Sequence, residues 1–183
     1  MSHLATVADR WDYPIRMPDR PPLWAVFGTL AGASLFIGGV LVYLPWALSG
    51  WRVREAFFGW ESWRWIGGAL IALSVPVLLD FLMRFVREGH GTPVPIAPPR
   101  HLVVRGAFRY VRNPAYLGAV ANLLGQSLVF GSPAVLTYAL IMAAFFHLFV
   151  VMYEEPTLRQ KFGAEYEAYC QQVGRWLPRR PRR

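Results

Sequence analysis

Hydrophobic residues are concentrated in four long blocks along the chain, separated by segments rich in charge, proline and glycine. The blocks cover about residues 23–49, 63–86, 115–131 and 133–153. The first contains no charged residue, and about 20 apolar residues suffice for a helix to cross a bilayer. At 1.5 Å per residue the third block reaches about 25 Å, slightly less than a hydrocarbon core of roughly 30 Å. The pattern predicts an all-α, polytopic membrane protein with four transmembrane helices.

Short breaks in the pattern predict how the last helices are connected. Only Ser132, flanked by Gly131 and Pro133, separates the third block from the fourth. Because glycine and proline favour turns, we expect these two helices to form a tight hairpin. Pro156 suits the start of a helix, and apolar residues then recur at near-helical spacing until Pro178. This predicts a C-terminal amphipathic helix that lies on the bundle or on the membrane surface.

The basic residues predict the orientation of these helices. With the N-terminus inside, 16 of the 19 basic residues lie on the inner side, in the N-terminal tail, the 87–114 loop or the C-terminal tail, when Arg84 at the end of the second block is counted with the loop. The three on the other side are Arg52, Arg54 and Arg64. This distribution follows the positive-inside rule. We therefore expect a multi-pass protein of the bacterial inner membrane with both termini in the cytoplasm.

Composition argues against several other kinds of partner and site. Only 16% of the residues are charged, against about 25% in soluble proteins. The net charge of +8 comes from arginines between the hydrophobic blocks, so no nucleic-acid partner is predicted. Cys170 is the sole cysteine, which leaves no intrachain disulfide and no cysteine metal cluster. The expected partners are the lipid bilayer and a lipophilic small molecule.

Polar and small residues inside the blocks predict helix–helix contacts. Gly28 and Gly32 permit close contact of the first helix, either within the bundle or in a homodimer. Asn122 and Gln126 lie one helical turn apart on the third helix. We expect these two amides to hydrogen-bond across the hairpin.

The most informative motif is RGAFRYVRNPAYLG over residues 105–118, which is followed by EEPTL over 154–158 and KFGAEY over 161–166. This order resembles the isoprenylcysteine carboxyl methyltransferase and phospholipid methyltransferase superfamily. Its members carry Gly-x-Tyr, then Arg-His-Pro-x-Tyr-x-Gly, then a Glu-Glu pair and Phe-Gly-x-x-Tyr. The resemblance covers roughly residues 89–178 and implies a small membrane methyltransferase that uses S-adenosylmethionine.

On this basis the chain divides into two regions. Residues 1–86 hold the N-terminal tail and the first two membrane helices, and residues 87–183 form a methyltransferase-like, cofactor-binding region with the hairpin and the C-terminal helix. The resemblance implies a cofactor pocket at the cytoplasmic end of the last two membrane helices. The cofactor contacts that it implies are His101, Leu102, Val103, Phe108, Asn113, Pro114, Ala115, Tyr116 and Glu154.

Three positions depart from the family pattern. Asn113 stands where the family usually has His, and Asn cannot titrate near neutral pH. Val150 stands where prenylcysteine enzymes carry a substrate-binding Arg. We therefore do not expect a prenylcysteine carboxylate held in that way. Phe108 replaces the usual Tyr and lacks its hydroxyl.

The chemistry of the cofactor independently favours the acidic pair. S-adenosylmethionine carries a sulfonium, an ammonium and a ribose diol, which need carboxylate acceptors and aromatic faces. Glu154 and Glu155 end an otherwise uncharged helix, and neighbouring helical residues point about 100° apart. We expect Glu154 to face the pocket and Glu155 to pair with an arginine of residues 105–112. The alternative is an acidic helix end that is solvated at the interface.

The start of the third helix is a candidate anion site. Pro114 suits the first helical position, and free backbone N–H groups there can bind the cofactor carboxylate. Arg112 would assist. An equally weighted alternative is that Arg112 contacts lipid phosphates.

These observations predict in-line methyl transfer to a lipophilic or membrane-embedded small molecule. Positioning alone can supply about 7–11 kcal/mol, so no catalytic base is named, and no metal. One alternative is a nicotinamide-dependent membrane reductase related to sterol reductases, which have a similar C-terminal segment. The chain shows no Gly-rich dinucleotide fingerprint. Another alternative is a non-catalytic membrane binding protein.

Overall fold

The computed structural model describes residues 31–32, 35, 37–88 and 106–178. Within these ranges the chain is helical, and its extended pairing is limited to a single parallel bridge between Val111 and Gly174. A short 3₁₀ turn, Gly106–Arg109, leads towards the third helix. The longer helices, numbered in chain order, are α1 (Gly38–Ser49), α2 (Ser62–Glu88), α3 (Pro114–Phe130), α4 (Pro133–Phe149), α5 (Glu155–Phe162) and α6 (Ala164–Gln172).

Two of these helices meet the requirements of a membrane span by length and composition. They are Ser62–Met83 and Pro133–Phe162, where the second continues from α4 into α5. α3 and α4 are joined by Gly131 and Ser132 and contact each other. The membrane hairpin and the total of four spans stay predictions, and the beginning of the first predicted span, residues 23–30, lies outside the described residues.

The first half of α1, Gly38–Tyr43, is a π-helix, whose turns are wider than those of an α-helix. Pro45, which follows it, explains this conformation. Pro45 has no N–H to donate to the carbonyl of Leu41, its partner in a regular α-helix. Side chains of other helices supply donors instead. Gln126 Nε2 donates to the Leu41 carbonyl at 2.8 Å, and Tyr138 Oη donates to the Val40 carbonyl at 3.1 Å. The wide turn therefore fastens α1 to α3 and α4.

Helices α2 and α3 touch through their backbones. A Cβ atom on Gly67 would lie 2.6 Å from the carbonyl oxygen of Gly125, and one on Gly125 would lie 2.7 Å from that of Gly67. Beside this contact, Asn122 Nδ2 donates to Ser74 Oγ at 3.0 Å. The prediction that Asn122 and Gln126 bond across the hairpin is therefore wrong. Their amides reach α2 and α1, because the crossing of three helices brings those acceptors closer.

The predicted C-terminal amphipathic helix is interrupted. Gly163 adopts φ +50° and ψ −125° and separates α5 from α6. Glycine tolerates a positive φ without the steric cost that a side chain brings. After the break, Tyr166 and Tyr169 of α6 and the following Val173 are buried in a small apolar cluster, against which Leu158 and Phe162 of α5 also pack.

The Arg64 end of the bundle is closed by one guanidinium group. Arg64 donates through Nη1 to the Val129 carbonyl at 2.6 Å and through Nη2 to the Arg54 carbonyl at 2.7 Å. Its Nε donates to Glu61 at 2.5 Å. These bonds tie the α1–α2 loop to the C-terminal turn of α3, whose carbonyls lack partners within the helix.

Candidate functional site

At the other end of the bundle, residues 173–176 form a C-terminal strap beside the start of α3. The backbone N–H of Arg112 donates to the Gly174 carbonyl at 2.9 Å. Asn113 Nδ2 donates to the Arg175 carbonyl at 3.3 Å. The strap thus fixes the two residues that precede α3, although they are some 60 positions away in the chain.

The acidic pair lies at a wide helical turn. A π-helical segment, Val150–Glu154, joins α4 to α5, and the Glu155 N–H bonds to the Val150 carbonyl five residues earlier. Pro156 has no N–H for the usual bond, which favours this turn. Glu154 is directed to α3, where Tyr116 Oη donates to its Oε2 at 3.2 Å. Glu155 is directed to a group of arginines.

The Glu155 carboxylate is 2% exposed and is surrounded by three guanidinium groups. Arg175 binds it with two bonds, Nε to Oε1 at 2.6 Å and Nη2 to Oε2 at 2.9 Å. Arg112 Nη1 lies 3.1 Å from Oε1 and Arg159 Nη2 lies 3.7 Å from Oε2. The hydrogen bond to Glu155 raises the pKa of Arg175, which keeps it charged. The prediction that one glutamate pairs with an arginine of residues 105–112 is confirmed.

The Nη1 atom of the Arg112 guanidinium group has partners, whereas its Nε atom has none among the described residues. Its Nη1 also donates to Cys170 Sγ at 2.7 Å. Its Nε is buried, and no acceptor for it lies among the described residues. An unpaired buried donor costs about 1–3 kcal/mol, so this atom is suited to receive an acceptor from a ligand.

The first turn of α3 offers further donors. Asn113 occupies the N-cap position but its side chain makes no capping bond, since its amide donates to the strap instead. Pro114 follows at the first helical position. The next N–H groups, on Ala115 and Tyr116, therefore keep the unpaired character typical of a helix N-terminus. Together with Arg112 they can bind an anion.

Aromatic packing positions Tyr116, and a hydrogen bond from Tyr169 holds the backbone at Phe108. The Tyr116 ring stacks on Phe146 with centroids 4.9 Å apart, which directs its hydroxyl to Glu154. Phe108 is half-buried, and its carbonyl accepts a hydrogen bond from Tyr169 Oη at 2.8 Å. Burial raises the pKa of Tyr169, so its hydroxyl stays protonated and can donate.

Direct contacts therefore join the two predicted motifs, through Tyr116 with Glu154 and through Arg112 with Glu155. Asn113, Pro114 and Ala115 lie at the start of α3 as expected. Three predicted cofactor contacts lie outside the described residues: His101, Leu102 and Val103.

Sequence reasoning missed the strap residues of the site. Arg175 was counted only as a cytoplasmic charge, yet it makes the closest contacts to Glu155. Trp176 Nε1 donates to His147 Nδ1 on α4 at 3.1 Å. The sequence feature that could have indicated these residues was Glu155, because a carboxylate at the end of an apolar helix needs a compensating positive charge. Which arginine supplies that charge depends on the fold.

The chain is similar in sequence to known methyltransferases. A model of the family described as phospholipid methyltransferase matches residues 63–165, more than half of the chain. A probable protein-S-isoprenylcysteine O-methyltransferase of Oryza sativa subsp. indica is 36% identical over 78 residues, which is 42% of this chain and 40% of that protein. The corresponding protein of Oryza sativa subsp. japonica shows the same identity and coverage. The match thus spans 40% of the length of these curated relatives. No solved structure matches significantly.

Proposed function

Since the chain belongs to the phospholipid methyltransferase family, as its motifs predicted, we propose that it transfers the methyl group of S-adenosylmethionine to a lipophilic or membrane-embedded small molecule. Family membership points to a membrane methyltransferase. What we propose beyond this membership is that S-adenosylmethionine is the methyl donor and that the acceptor is lipophilic.

One contact carries this proposal. The hydrogen bond from Tyr116 to Glu154 joins the Asn-Pro-x-Tyr turn to the end of α4, and the cofactor site needs both at one place. A carboxylate there can accept hydrogen bonds from a ribose diol or an ammonium group. The neighbouring Tyr116 ring offers a face to a sulfonium cation.

The donors around Arg112 suit the carboxylate of the same cofactor. The N–H groups of Ala115 and Tyr116 belong to the first turn of α3, and the buried Nε of Arg112, two residues before this helix, would be a further donor. The Arg112 side chain is only 11% exposed, which favours this inward role over contact with lipid phosphates. Glu155 is enclosed by arginines, so we assign it to positioning Arg112 and the strap rather than to touching the cofactor.

The proposed methyl transfer requires little acid–base catalysis by the protein. S-adenosylmethionine supplies an electrophilic methyl group, which leaves a neutral thioether when a nucleophile takes it. The chain's contribution is to align the two reactants and to exclude water, which can account for about 7–11 kcal/mol of the barrier. No residue is assigned as a catalytic base.

We also propose the membrane arrangement that the sequence predicted. Block 23–49 and α3 would join the two longer apolar helices to give four spans, with the Glu154 end and both termini in the cytoplasm. The hydrogen bonds and ion pairs described for the candidate site join residues between 106 and 178, which supports the proposed division of the chain. The homodimer contact through Gly28 and Gly32 also stays a proposal. Of these two glycines, Gly28 lies outside the described residues.

A binding experiment tests the proposal. The detergent-purified protein is titrated calorimetrically with S-adenosylmethionine and with NADPH, as wild type, as Glu154→Gln and as the exposed control Glu165→Gln. We expect micromolar binding of S-adenosylmethionine that weakens by about tenfold or more in Glu154→Gln only, because the amide has lost the negative charge.

Other results would favour other functions. Binding of NADPH alone would contradict the proposal and support a reductase. Binding of neither would support a non-catalytic membrane protein. Transfer of a labelled methyl group into fractionated lipid extracts then identifies the acceptor.

A further inference from the structure

The α1–α2 loop, residues 50–61, presents large aromatic side chains to the surroundings of the protein. Phe58 is 88% exposed and Trp60 is 68% exposed, and Trp65 near the start of α2 is exposed as well. Single exposed apolar residues are ordinary, but several in one short segment indicate a contact surface. The loop lies at the Arg64 end, opposite the candidate cofactor site. The proposed methyl transfer does not use it.

The backbone of this loop is firmly held, so its side chains are directed outward by a fixed structure. The Arg54 N–H donates to the Phe130 carbonyl at 3.0 Å, and the Arg54 carbonyl accepts a bond from Arg64 at 2.7 Å. The Glu55 carbonyl lies against Gly131, where an added Cβ would clash with it. The exposed aromatic side chains therefore extend from a backbone that is fastened to the end of α3.

Phe58 adopts a backbone conformation that is unfavourable for a residue with a side chain. Its φ is +56° and its ψ is 20°, in the left-handed region, and Gly59 follows with a φ of +72°. Glycine tolerates this region, whereas other residues occupy it at a cost in free energy. Because Phe58 is almost fully exposed, packing within the protein does not offset that cost. A contact outside the protein would offset it.

The position of the loop indicates what it contacts. The apolar α2 helix, long enough to cross a membrane, begins at Ser62, so Phe58 and Trp60 precede it by four and two residues. Aromatic residues are enriched at this level, where the hydrocarbon core meets the lipid headgroups. Arg52 and Arg54 are exposed in the same loop, and guanidinium groups bind phosphate. Both features fit a phospholipid surface.

The neighbouring α3–α4 turn favours a loop that lies in the membrane rather than above it. α3 has 17 residues, about 25 Å at 1.5 Å per residue, which is less than a hydrocarbon core of about 30 Å. Gly131 and Ser132 of the turn are buried, and the loop contacts Gly131. In the proposed four-span arrangement, the loop thus fills the layer that the short helix leaves open.

We propose that residues 50–61 form a membrane anchor in the leaflet at the Arg64 end, with the Phe58 ring inserted among lipid chains and Arg52 and Arg54 at lipid phosphates. Burial of the ring in lipid offsets the cost of its left-handed backbone. The anchor rests on the membrane arrangement under the proposed function and is independent of the methyl donor and acceptor.

Fluorine NMR tests the proposal. The protein is labelled with 5-fluorotryptophan and placed in phosphatidylcholine nanodiscs, and the Trp60 signal is assigned by its loss in Trp60→Phe. A nitroxide near the carbonyl end of the lipid chains should broaden this signal more than a water-soluble gadolinium chelate does. Stronger broadening by the chelate would place the loop in water and overturn the proposal. Broadening by neither probe would indicate a protein contact, such as a second copy of the chain, and would overturn it too.

A substitution of the inserted ring has a matched control on α2. In Phe58→Ser the loss of the buried ring should weaken insertion by about tenfold, so the lipid nitroxide broadens the Trp60 signal less. Leu73→Ser removes an exposed apolar side chain from the middle of α2 and should leave the Trp60 signal unchanged. Equal effects of the two changes would overturn the role of Phe58. Gel filtration and circular dichroism report whether each variant is folded.

A second pair of variants separates the backbone conformation from the ring. Phe58→Gly and Phe58→Ala remove the same ring, so both should lose lipid contact at Trp60 to the same extent. Glycine alone relieves the positive φ, so Phe58→Gly should unfold about 2–4 °C above Phe58→Ala in detergent. Equal unfolding midpoints would contradict the strained conformation that directs the ring outward, and so the anchor built on it.

The outcomes distinguish this inference from the proposed methyl transfer. S-adenosylmethionine titration of the same samples should be unaffected by Phe58→Ser. Intact cofactor binding with a Trp60 signal that responds mainly to the chelate would overturn the anchor alone. Lipid contact at Trp60 without any binding of S-adenosylmethionine would support the anchor and contradict the proposed methyl donor.

Discussion

Both ends of the bundle use an arginine–glutamate contact, but the two contacts differ in burial. At the Arg64 end, Glu61 is 71% exposed, and the guanidinium of Arg64 also donates to two backbone carbonyls. At the opposite end, Glu155 is 2% exposed and is shared by three arginines from separate segments. The first contact joins two residues that are only three positions apart in the chain. The second brings distant segments together around the candidate site.

This difference has an energetic meaning. Exposed ion pairs contribute little, because water already solvates both charges. A buried carboxylate has lost its water, so removal of its partners leaves an uncompensated charge. The Glu155 cluster is therefore expected to hold the site in place, whereas the Glu61 contact is expected to be dispensable.

The largest expected effect is that of Glu155→Ala. Without the carboxylate, Arg112 and Arg175 face each other unpaired, and a broken buried pair costs about 3–5 kcal/mol. The midpoint of thermal unfolding in detergent should fall by about 6 °C or more. Binding of S-adenosylmethionine should weaken as well, because Arg112 loses its fixed orientation.

The matched control for this change is Glu167→Ala. Glu167 binds Arg159 at 2.7 Å but is 52% exposed, so its loss should change neither measurement. Equal effects of the two substitutions would show that burial does not distinguish these glutamates.

Gly67→Ala should have the next largest effect, because it disturbs the close backbone contact between α2 and α3. The added Cβ would lie 2.6 Å from a carbonyl oxygen of Gly125, and such overpacking costs about 1–3 kcal/mol. The unfolding midpoint should fall by a few degrees. Gly68→Ala is the control, since a Cβ there meets no atom within 4 Å. A loss of stability in Gly68→Ala alone would contradict the close approach of α2 and α3.

A smaller effect is expected from Trp176→Phe, which keeps an aromatic ring but removes the donor to His147. A neutral hydrogen bond contributes about 0.5–1.5 kcal/mol, so the affinity for S-adenosylmethionine should fall by no more than about tenfold. Trp60→Phe, at an exposed indole in the α1–α2 loop, provides the comparison. A complete loss of binding in Trp176→Phe would mean that the strap depends on this bond rather than on Glu155.

Glu61→Ala should have the smallest effect. A hydrogen bond from Arg64 holds the pKa of Glu61 below its usual value. Any stabilisation from this contact is therefore present at neutral pH and is lost as the pH falls through that pKa. Because Glu61 is exposed, we expect no measurable change in the unfolding midpoint at neutral pH. A drop comparable to that of Glu155→Ala would refute the contrast between the two ends.

Sequence reasoning identified the two halves of the candidate site but not the details of their connection. The Asn-Pro-x-Tyr turn and the acidic pair were recognisable because each is a short motif with a local signal. The pairing of Glu155 with an arginine of residues 105–112 followed from charge alone, and Arg112 fulfils it. The role of Arg175 could not be predicted, because it needs the strap to return to the start of α3.

Wrong predictions had the same origin. Asn122 and Gln126 were expected to hydrogen-bond across the hairpin, but their partners lie on α2 and α1. The acceptor on Leu41 exists because Pro45 withholds an N–H. That consequence becomes visible only when α3 is packed against α1.

The sequence by itself determined the helical, membrane-compatible character of the chain, its family and the residue types of the candidate site. Hydropathy, proline positions and local motifs are properties of neighbouring residues, so they can be read from the chain. Tertiary structure decided which donor meets which acceptor: Tyr116 with Glu154, Arg175 with Glu155, and the backbones of Gly67 and Gly125 with each other. These contacts join residues far apart in sequence, and only the packing of the helices selects among the many partners that their chemistry allows.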